Sequence, residues 1–253
     1  MEIKIIKPQD QALEQFDGGK IIAQKPIGFS GEGSVINRLG PLFYWGWGKS
    51  EGEGGIGLHP HQGFEIISYF IKGRGRHQDT LGTISEVGPG GVQVMQAGSG
   101  MHHAETLLEP SEAFQIWLEP HLSKAIKQTP TYSKYEHEDF PLTSENGVIV
   151  KTILGEHSPI NLVTDAKMYD VEIENGVAYK YAVSPNRTLA GLSIRGNGGV
   201  IGELEVSFEN KDFIIIQSEK GESFTIQPKG EELRMLLIDI PTEVAYPLYR
   251  KPR

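Results

Sequence analysis

The sequence predicts an all-β fold, because short apolar runs alternate with glycine-rich turns and almost no segment has a helical period. The 253 residues include 31 glycines, many of them in short turns between apolar runs, as expected of a many-stranded antiparallel protein. The runs are rich in β-branched or aromatic residues and are bounded by Gly, Pro or charge, which favours strands. They lie at 64–71, 91–98, 113–120, 148–154, 213–218 and 233–240.

Helix is expected only in a few short pieces. The two candidates are Lys7–Gln15 and Pro159–Asp165, and neither carries a sustained 3.6-residue apolar period.

The apolar pattern breaks between residues 119 and 147, where a polar segment with several prolines precedes a new series of strands. IKGRG at 71–75 also recurs in outline as IRGNG at 194–198, which indicates a weak internal repeat. We therefore expect two similar β-barrels or sandwiches in tandem, residues 1–140 and 141–253. The second is expected to lack metal ligands, because the positions that correspond to the histidine pair of the first hold Ala182 and Ser184.

Composition excludes several classes of function. The formal net charge of −9 and a pI near 5.4 disfavour direct nucleic-acid binding, which needs clustered Lys and Arg. No cysteine is present, so disulfides, thiolate ligands and cysteine nucleophiles are excluded. No run approaches the roughly 20 apolar residues that cross a bilayer, and the first residues do not resemble a signal peptide. A cytoplasmic protein without membrane association is expected, with a monomer as the default.

Two pairs of potential metal ligands stand out, His59 with His61 and His103 with Glu105. In an extended strand, residues two apart point to the same face, so each pair can reach one ion. Pro60 favours extended backbone at His59. Three imidazoles and one carboxylate suit a divalent iron, copper, manganese, nickel or zinc ion, and four protein ligands leave octahedral positions free for exchangeable partners. One metal site per chain is expected.

Other assignments remain open on these grounds alone. The HPH segment can also be a polar strand entry with two exposed histidines. His102 and His103 cannot both face inward from one strand, and choosing His103 brings Glu105 to the same face. Glu65 can replace Glu105 as the fourth ligand.

The remaining histidines are weaker candidates. His77 and Asp79 form another pair two residues apart, which can orient a metal ligand from behind or lie at a solvent-facing strand edge. His121, His137 and His157 lie in polar surroundings and are expected at the surface.

The segment from HPHQGFE at residue 59 through HQD and GPGGVQVMQAGSG to MHHAE, followed by FQIWLEP at 114–120, resembles the pirin family of the cupin superfamily. The resemblance is dense in the first half of the chain and only in outline in the second. It implies two cupin (jelly-roll-type) β-barrel domains, of which the amino-terminal one holds a metal ion, commonly iron. By motif the ligands are His59, His61, His103 and Glu105, which favours Glu105 over Glu65.

The same resemblance implies metal-dependent dioxygenase activity of the quercetin 2,3-dioxygenase type, with a flavonol and O₂ as substrates. Glu105 is then the candidate general base for the flavonol 3-hydroxyl group. The alternative is a metal- or redox-sensing regulator that binds a protein partner without catalysis, as nuclear pirins do. A structural or storage metal site is a third reading.

Overall fold

The computed structural model describes residues 1–203 and 205–250. It is 55% strand and 5% helix, so the all-β prediction and the scarcity of helix are confirmed. The strands are β1 (Glu2–Ile6), β2 (Ala12–Phe16), β3 (Ile21–Ile27), β4 (Leu42–Ser50), β5 (Gly54–His61), β6 (Glu65–Lys72), β7 (Gly75–Asp79), β8 (Ile84–Val87), β9 (Val92–Gln96), β10 (Met101–Leu107), β11 (Ser111–Leu118), β12 (Thr131–Tyr135), β13 (Leu142–Glu145), β14 (Val148–Leu154), β15 (Lys167–Ile173), β16 (Tyr179–Val183), β17 (Arg187–Arg195), β18 (Gly199–Ile201), β19 (Val206–Phe208), β20 (Phe213–Ser218), β21 (Glu222–Pro228) and β22 (Leu233–Pro241). The helical pieces are α1 (Leu122–Ala125) and three 3₁₀ turns, Pro8–Asp10, Asp17–Gly19 and His137–Asp139.

All six predicted strand runs are strands in the structure, whereas both predicted helices are wrong. Residues 7–15 contain a single 3₁₀ turn and then the start of β2, which pairs with β3 from Ala12 opposite Lys25 to Phe16 opposite Ile21. Sheet pairing therefore overrides the weak helical propensity of this segment. Residues 159–165 form no regular element. No helix in the described part of the chain is long and apolar enough to span a bilayer.

The chain divides into two compact units. The first, called here the amino-terminal unit, comprises Asp10–Asp139 and the chain from Ala245. The second, the carboxy-terminal unit, comprises Met1–Gln9 and Phe140–Val244.

Each unit contains one seven-stranded and one four-stranded antiparallel sheet. In the amino-terminal unit the orders are β12-β9-β6-β11-β4-β3-β2 and β5-β10-β7-β8. In the carboxy-terminal unit they are β1-β20-β17-β22-β15-β14-β13 and β16-β21-β18-β19. Adding eleven to each strand number of the first unit gives the second, except at one edge, where β1 takes the place that corresponds to β12.

The repeated glycine segment marks the same turn in both units. Gly73 follows β6 with φ +74°, and Gly196 follows β17 with φ +89°. A Cβ atom at Gly73 would lie 2.7 Å from the Pro110 carbonyl oxygen, and one at Gly196 would lie 2.3 Å from that of Glu232. Only glycine combines the left-handed backbone with this close approach, which explains why the weak internal repeat is visible at this place.

The interiors of the two units differ in chemistry. In the carboxy-terminal unit buried apolar side chains cluster, among them Tyr181, Phe224, Ile226 and Met235. Each large apolar side chain contributes roughly 1.5–3 kcal/mol when it is fully buried. In the amino-terminal unit the buried groups include His61, His77 and His103, which are costly to bury unless they have partners.

Candidate metal centre

The three histidines of the candidate site lie on two adjacent strands of the four-stranded sheet. On β5 and β10, His59 pairs directly with His103, and His61 pairs with Met101. Because β5 is an edge strand, it tolerates Pro60, which has no backbone N–H to donate. Hydrogen-bonded neighbours in a sheet bring side chains of one face close together.

The imidazole rings of His59, His61 and His103 converge. The ring centroids are 4.4 Å apart for His59 and His103, and 4.8 Å apart for each of the other two pairs. One nitrogen from each ring lies within 4.8 Å of the others. Within residues 1–203 and 205–250, this is the one group of three or more His, Asp or Glu side chains found close enough to share an ion. His61 and His103 are buried, and His59 is half-buried.

The hydrogen bonds leave one nitrogen of each ring available for a ligand bond. Nδ1 of His59 lies 2.8 Å from the Gly57 carbonyl oxygen. Since a carbonyl only accepts, Nδ1 carries the proton and Nε2 has the lone pair. Nε2 of His61 and Nε2 of His103 are buried without a hydrogen-bond partner, which is costly for a polar atom in a folded interior. A divalent cation among these three nitrogens fits the donor set.

The surroundings also keep two of the rings neutral, as ligand bonds require. Burial, together with the neighbouring His103 and His59, lowers the pKa of His61 to about 3. Burial and the neighbouring His59 and His77 lower the pKa of His103 to about 3. Both rings therefore keep their lone pairs at neutral pH.

We expect metal-free protein to lose stability as the pH falls below about 6.5, the ordinary pKa of histidine. Between that value and the folded pKa of about 3, the unfolded chain binds more protons, so the free energy of unfolding decreases towards acid. Each of the two histidines contributes a slope of up to roughly 1.4 kcal/mol per pH unit. Urea unfolding of metal-free protein between about pH 5 and 7 measures the slope. His61→Gln should reduce it and the exposed His157→Gln should not, so equal slopes in all three proteins would contradict the expectation.

Glu105 points into the space between the two sheets of the amino-terminal unit. Its Oε2 accepts a 2.7 Å hydrogen bond from Nε2 of Gln115 on β11, and its Oε1 accepts one of 3.2 Å from Ser68 on β6. The indole N–H of Trp117 donates to Oε1 of Gln115 at 3.0 Å, which orients the Gln115 amide so that its N–H faces Glu105. The edge of Trp117 also packs on His61, at 4.8 Å between centroids.

The structure therefore gathers three of the four predicted ligands and places the fourth on a different set of partners. A bulge in the β5–β10 pairing sets Glu105 opposite Ile56. The alternative carboxylate, Glu65, is buried and accepts a 2.7 Å hydrogen bond from Gln96. Gln115 and Ser68 were not singled out from the sequence. A polar residue inside the apolar run FQIWLEP is the signal that could have identified Gln115.

His77 and Asp79 are buried rather than solvent-facing, with 2% and 8% of their surface exposed. Nε2 of His77 lies 2.8 Å from Oδ2 of Asp79, and Nδ1 of His77 lies 3.3 Å from Nδ1 of His103. The pKa of Asp79 is raised by burial, but hydrogen bonds from His77 and from the backbone of Thr83 and Leu81 outweigh this and hold it below its usual value. The exposed His137 and His157 agree with the surface positions predicted for them, whereas His121 is half-buried. His102 is exposed as well.

A cavity of about 90 Å³ borders Glu105 between the sheets. Its lining is mainly apolar and includes Ile21, Phe70, Leu107 and Phe114. Pockets for drug-sized ligands usually measure about 300–1,000 Å³, so this cavity is too small for a flavonol.

The chain is similar in sequence to known proteins of one family. The family model for Pirin matches residues 42–118, which include all three histidines and Glu105. Two pirin-like proteins of Caulobacter vibrioides are each 34% identical to the chain. One aligns over 72% of this chain and 78% of its own length, and the other over 53% and 52%.

The names of two further similar proteins mention an enzymatic activity or a bound metal. A Pseudomonas aeruginosa protein provisionally named quercetin 2,3-dioxygenase is 28% identical, over 78% of this chain and 84% of that protein. The crystal structure of the bacterial pirin YhhW from Escherichia coli, in complex with nickel(II), has a TM-score of 0.79 at 22% identity and covers 96% of this chain and all of that one. At this identity the structural likeness concerns the fold.

Proposed function

The chain belongs to the pirin family, and on that premise we propose that it is a metal-dependent dioxygenase that cleaves flavonols such as quercetin with O₂. The observation that carries the proposal is the convergence of three histidines, two of them with buried, unpartnered Nε2 atoms; the inward-pointing carboxylate of Glu105 lies on the same strand as His103. We further propose that residues 1–140 and 141–253 correspond to two tandem cupin β-barrels, except that Met1–Gln9 and the chain from Ala245 each belong to the other unit. Only the first barrel is proposed to bind metal. The proposed location is the cytoplasm, which a chain without cysteine suits.

His59, His61, His103 and Glu105 are the proposed ligands of one divalent ion per chain. Iron is the proposed metal, and manganese, copper, nickel and zinc are alternatives that the same donors accept. When bound, the ion supplies Lewis acidity and, if it is iron, electron exchange with O₂.

Glu105 is the proposed general base, which takes the proton of the flavonol 3-hydroxyl group onto a carboxylate oxygen. Gln115 and Ser68 donate hydrogen bonds to that carboxylate, which fix the orientation of its two oxygen atoms. Trp117 orients Gln115 and packs against His61. One aromatic side chain, Trp117, thus contacts both the glutamine that holds the proposed base and one of the proposed metal ligands.

The proposal predicts that iron- or manganese-loaded protein consumes O₂ in the presence of quercetin and releases carbon monoxide. The flavonol loses one ring carbon as CO and gains both oxygen atoms of O₂, so the two gases should change in equal amounts. Oxygen-electrode and CO measurements on loaded and metal-free protein provide the test. Metal uptake without O₂ consumption would reject the dioxygenase and favour the regulatory alternative.

A further inference from the structure

We propose that His77 and Asp79 are positioning residues that set the tautomer of His103, so that Nε2 of His103 presents its lone pair to the metal ion. This inference rests on the proposed metal site but not on the proposed reaction. It assigns a role to a buried pair that binds neither substrate nor metal.

The direction of each hydrogen bond follows from the donor inventory. An ionised Asp79 carboxylate can only accept, so Nε2 of His77 donates to it. In a neutral imidazole the other nitrogen then accepts, so Nδ1 of His77 receives the N–H of His103 Nδ1. The proton of His103 is thereby held on Nδ1, and Nε2 is left with its lone pair.

The pair is held rigidly enough to impose this arrangement. Oδ1 of Asp79 accepts backbone N–H groups of Leu81 at 2.9 Å and Thr83 at 3.0 Å, which leaves Oδ2 for His77. The His77 ring stacks on Tyr132, with centroids 4.2 Å apart and planes 20° apart. Neither side chain can turn without losing these contacts. Whether the group at position 79 accepts or donates a hydrogen bond therefore decides which nitrogen of each imidazole carries the proton.

Asp79→Asn is the informative variant. The amide oxygen can replace Oδ1 in the turn, so the amide N–H₂ faces Nε2 of His77 and donates to it. His77 must then carry its proton on Nδ1 and donate it to Nδ1 of His103. The proton of His103 moves to Nε2, where it competes with the metal, in the way that a wrong tautomer disables an Asp–His pair.

We expect Asp79→Asn to bind Ni²⁺ about 10- to 100-fold more weakly than wild type in calorimetric titrations. Melting temperatures of the metal-free proteins check that the variant is folded. Glu86→Gln, which alters the exposed Arg76–Glu86 ion pair on the same sheet, is the control and should leave the nickel affinity unchanged.

A double variant separates this role from a structural one. His77→Phe keeps a ring against Tyr132 but removes both hydrogen bonds, so adding Asp79→Asn to it should change the nickel affinity no further. Wild-type affinity in Asp79→Asn, or an undiminished effect of Asp79→Asn in the His77→Phe background, would overturn the proposal. Failure of wild type to bind nickel would instead reject the metal site, and the absence of flavonol cleavage would leave this test unaffected.

Discussion

His103→Gln is expected to abolish stoichiometric metal binding. His103 is the most buried of the three histidines, with 2% of its surface exposed, and its Nδ1 faces His77, which sets its tautomer. Because losing a residue that only orients a metal ligand costs about 10- to 100-fold in metal affinity, loss of the ligand itself should weaken binding by at least about 100-fold. Metal analysis after dialysis against a defined free Ni²⁺ concentration measures the effect.

The adjacent His102 provides a matched control. His102 is exposed on the opposite face of β10, and His102→Gln makes the same chemical change one residue away. Its metal content should equal that of wild type. If both variants retained a full equivalent of nickel, or both lost it, the ion would not be held by the face of β10 that carries His103.

The strands of this fold could be predicted because their apolar runs are short and uninterrupted. The runs at 148–154 and 213–218 match β14 and β20 residue for residue. The helix predicted over Lys7–Gln15 was wrong because Ala12–Phe16 acquires its hydrogen bonds from β3, and a local pattern does not contain that partner. The position of β1 beside β20 depends on contacts across most of the chain and was equally out of reach.

Part of the candidate site could be predicted because strand parity is a local property. His59 and His61 share a face, and His103 was chosen over His102 by the same rule, which the converging rings support. The partners of Glu105 could not be predicted, because Ser68 and Gln115 reach it from two strands of the facing sheet. For the same reason the sequence left open whether His77 and Asp79 were buried: their alternating strand pattern is the same at a buried face and at an edge.

Glu105→Gln is expected to retain metal and to lose turnover of flavonol by about 10²- to 10⁴-fold, the usual contribution of a general base. The amide keeps the size of the side chain but cannot take a proton from the 3-hydroxyl group. The loss should appear in kcat, because the three histidine ligands are unchanged and the amide oxygen of the new side chain can still bind the ion. Single-turnover O₂ consumption at matched metal content measures it.

Glu65→Gln is the control that separates the role of Glu105 from that of a buried carboxylate in general. Glu65 and Glu105 each accept a 2.7 Å hydrogen bond from a glutamine amide, so the two substitutions disturb similar surroundings and both require melting-temperature checks. If the loss of turnover followed Glu65→Gln instead, the assignment of the general base to Glu105 would be wrong. Equal losses in both variants at unchanged metal content would show that replacing either carboxylate by an amide impairs the site through its electrostatics. Proton transfer to Glu105 would then not be the cause of the loss.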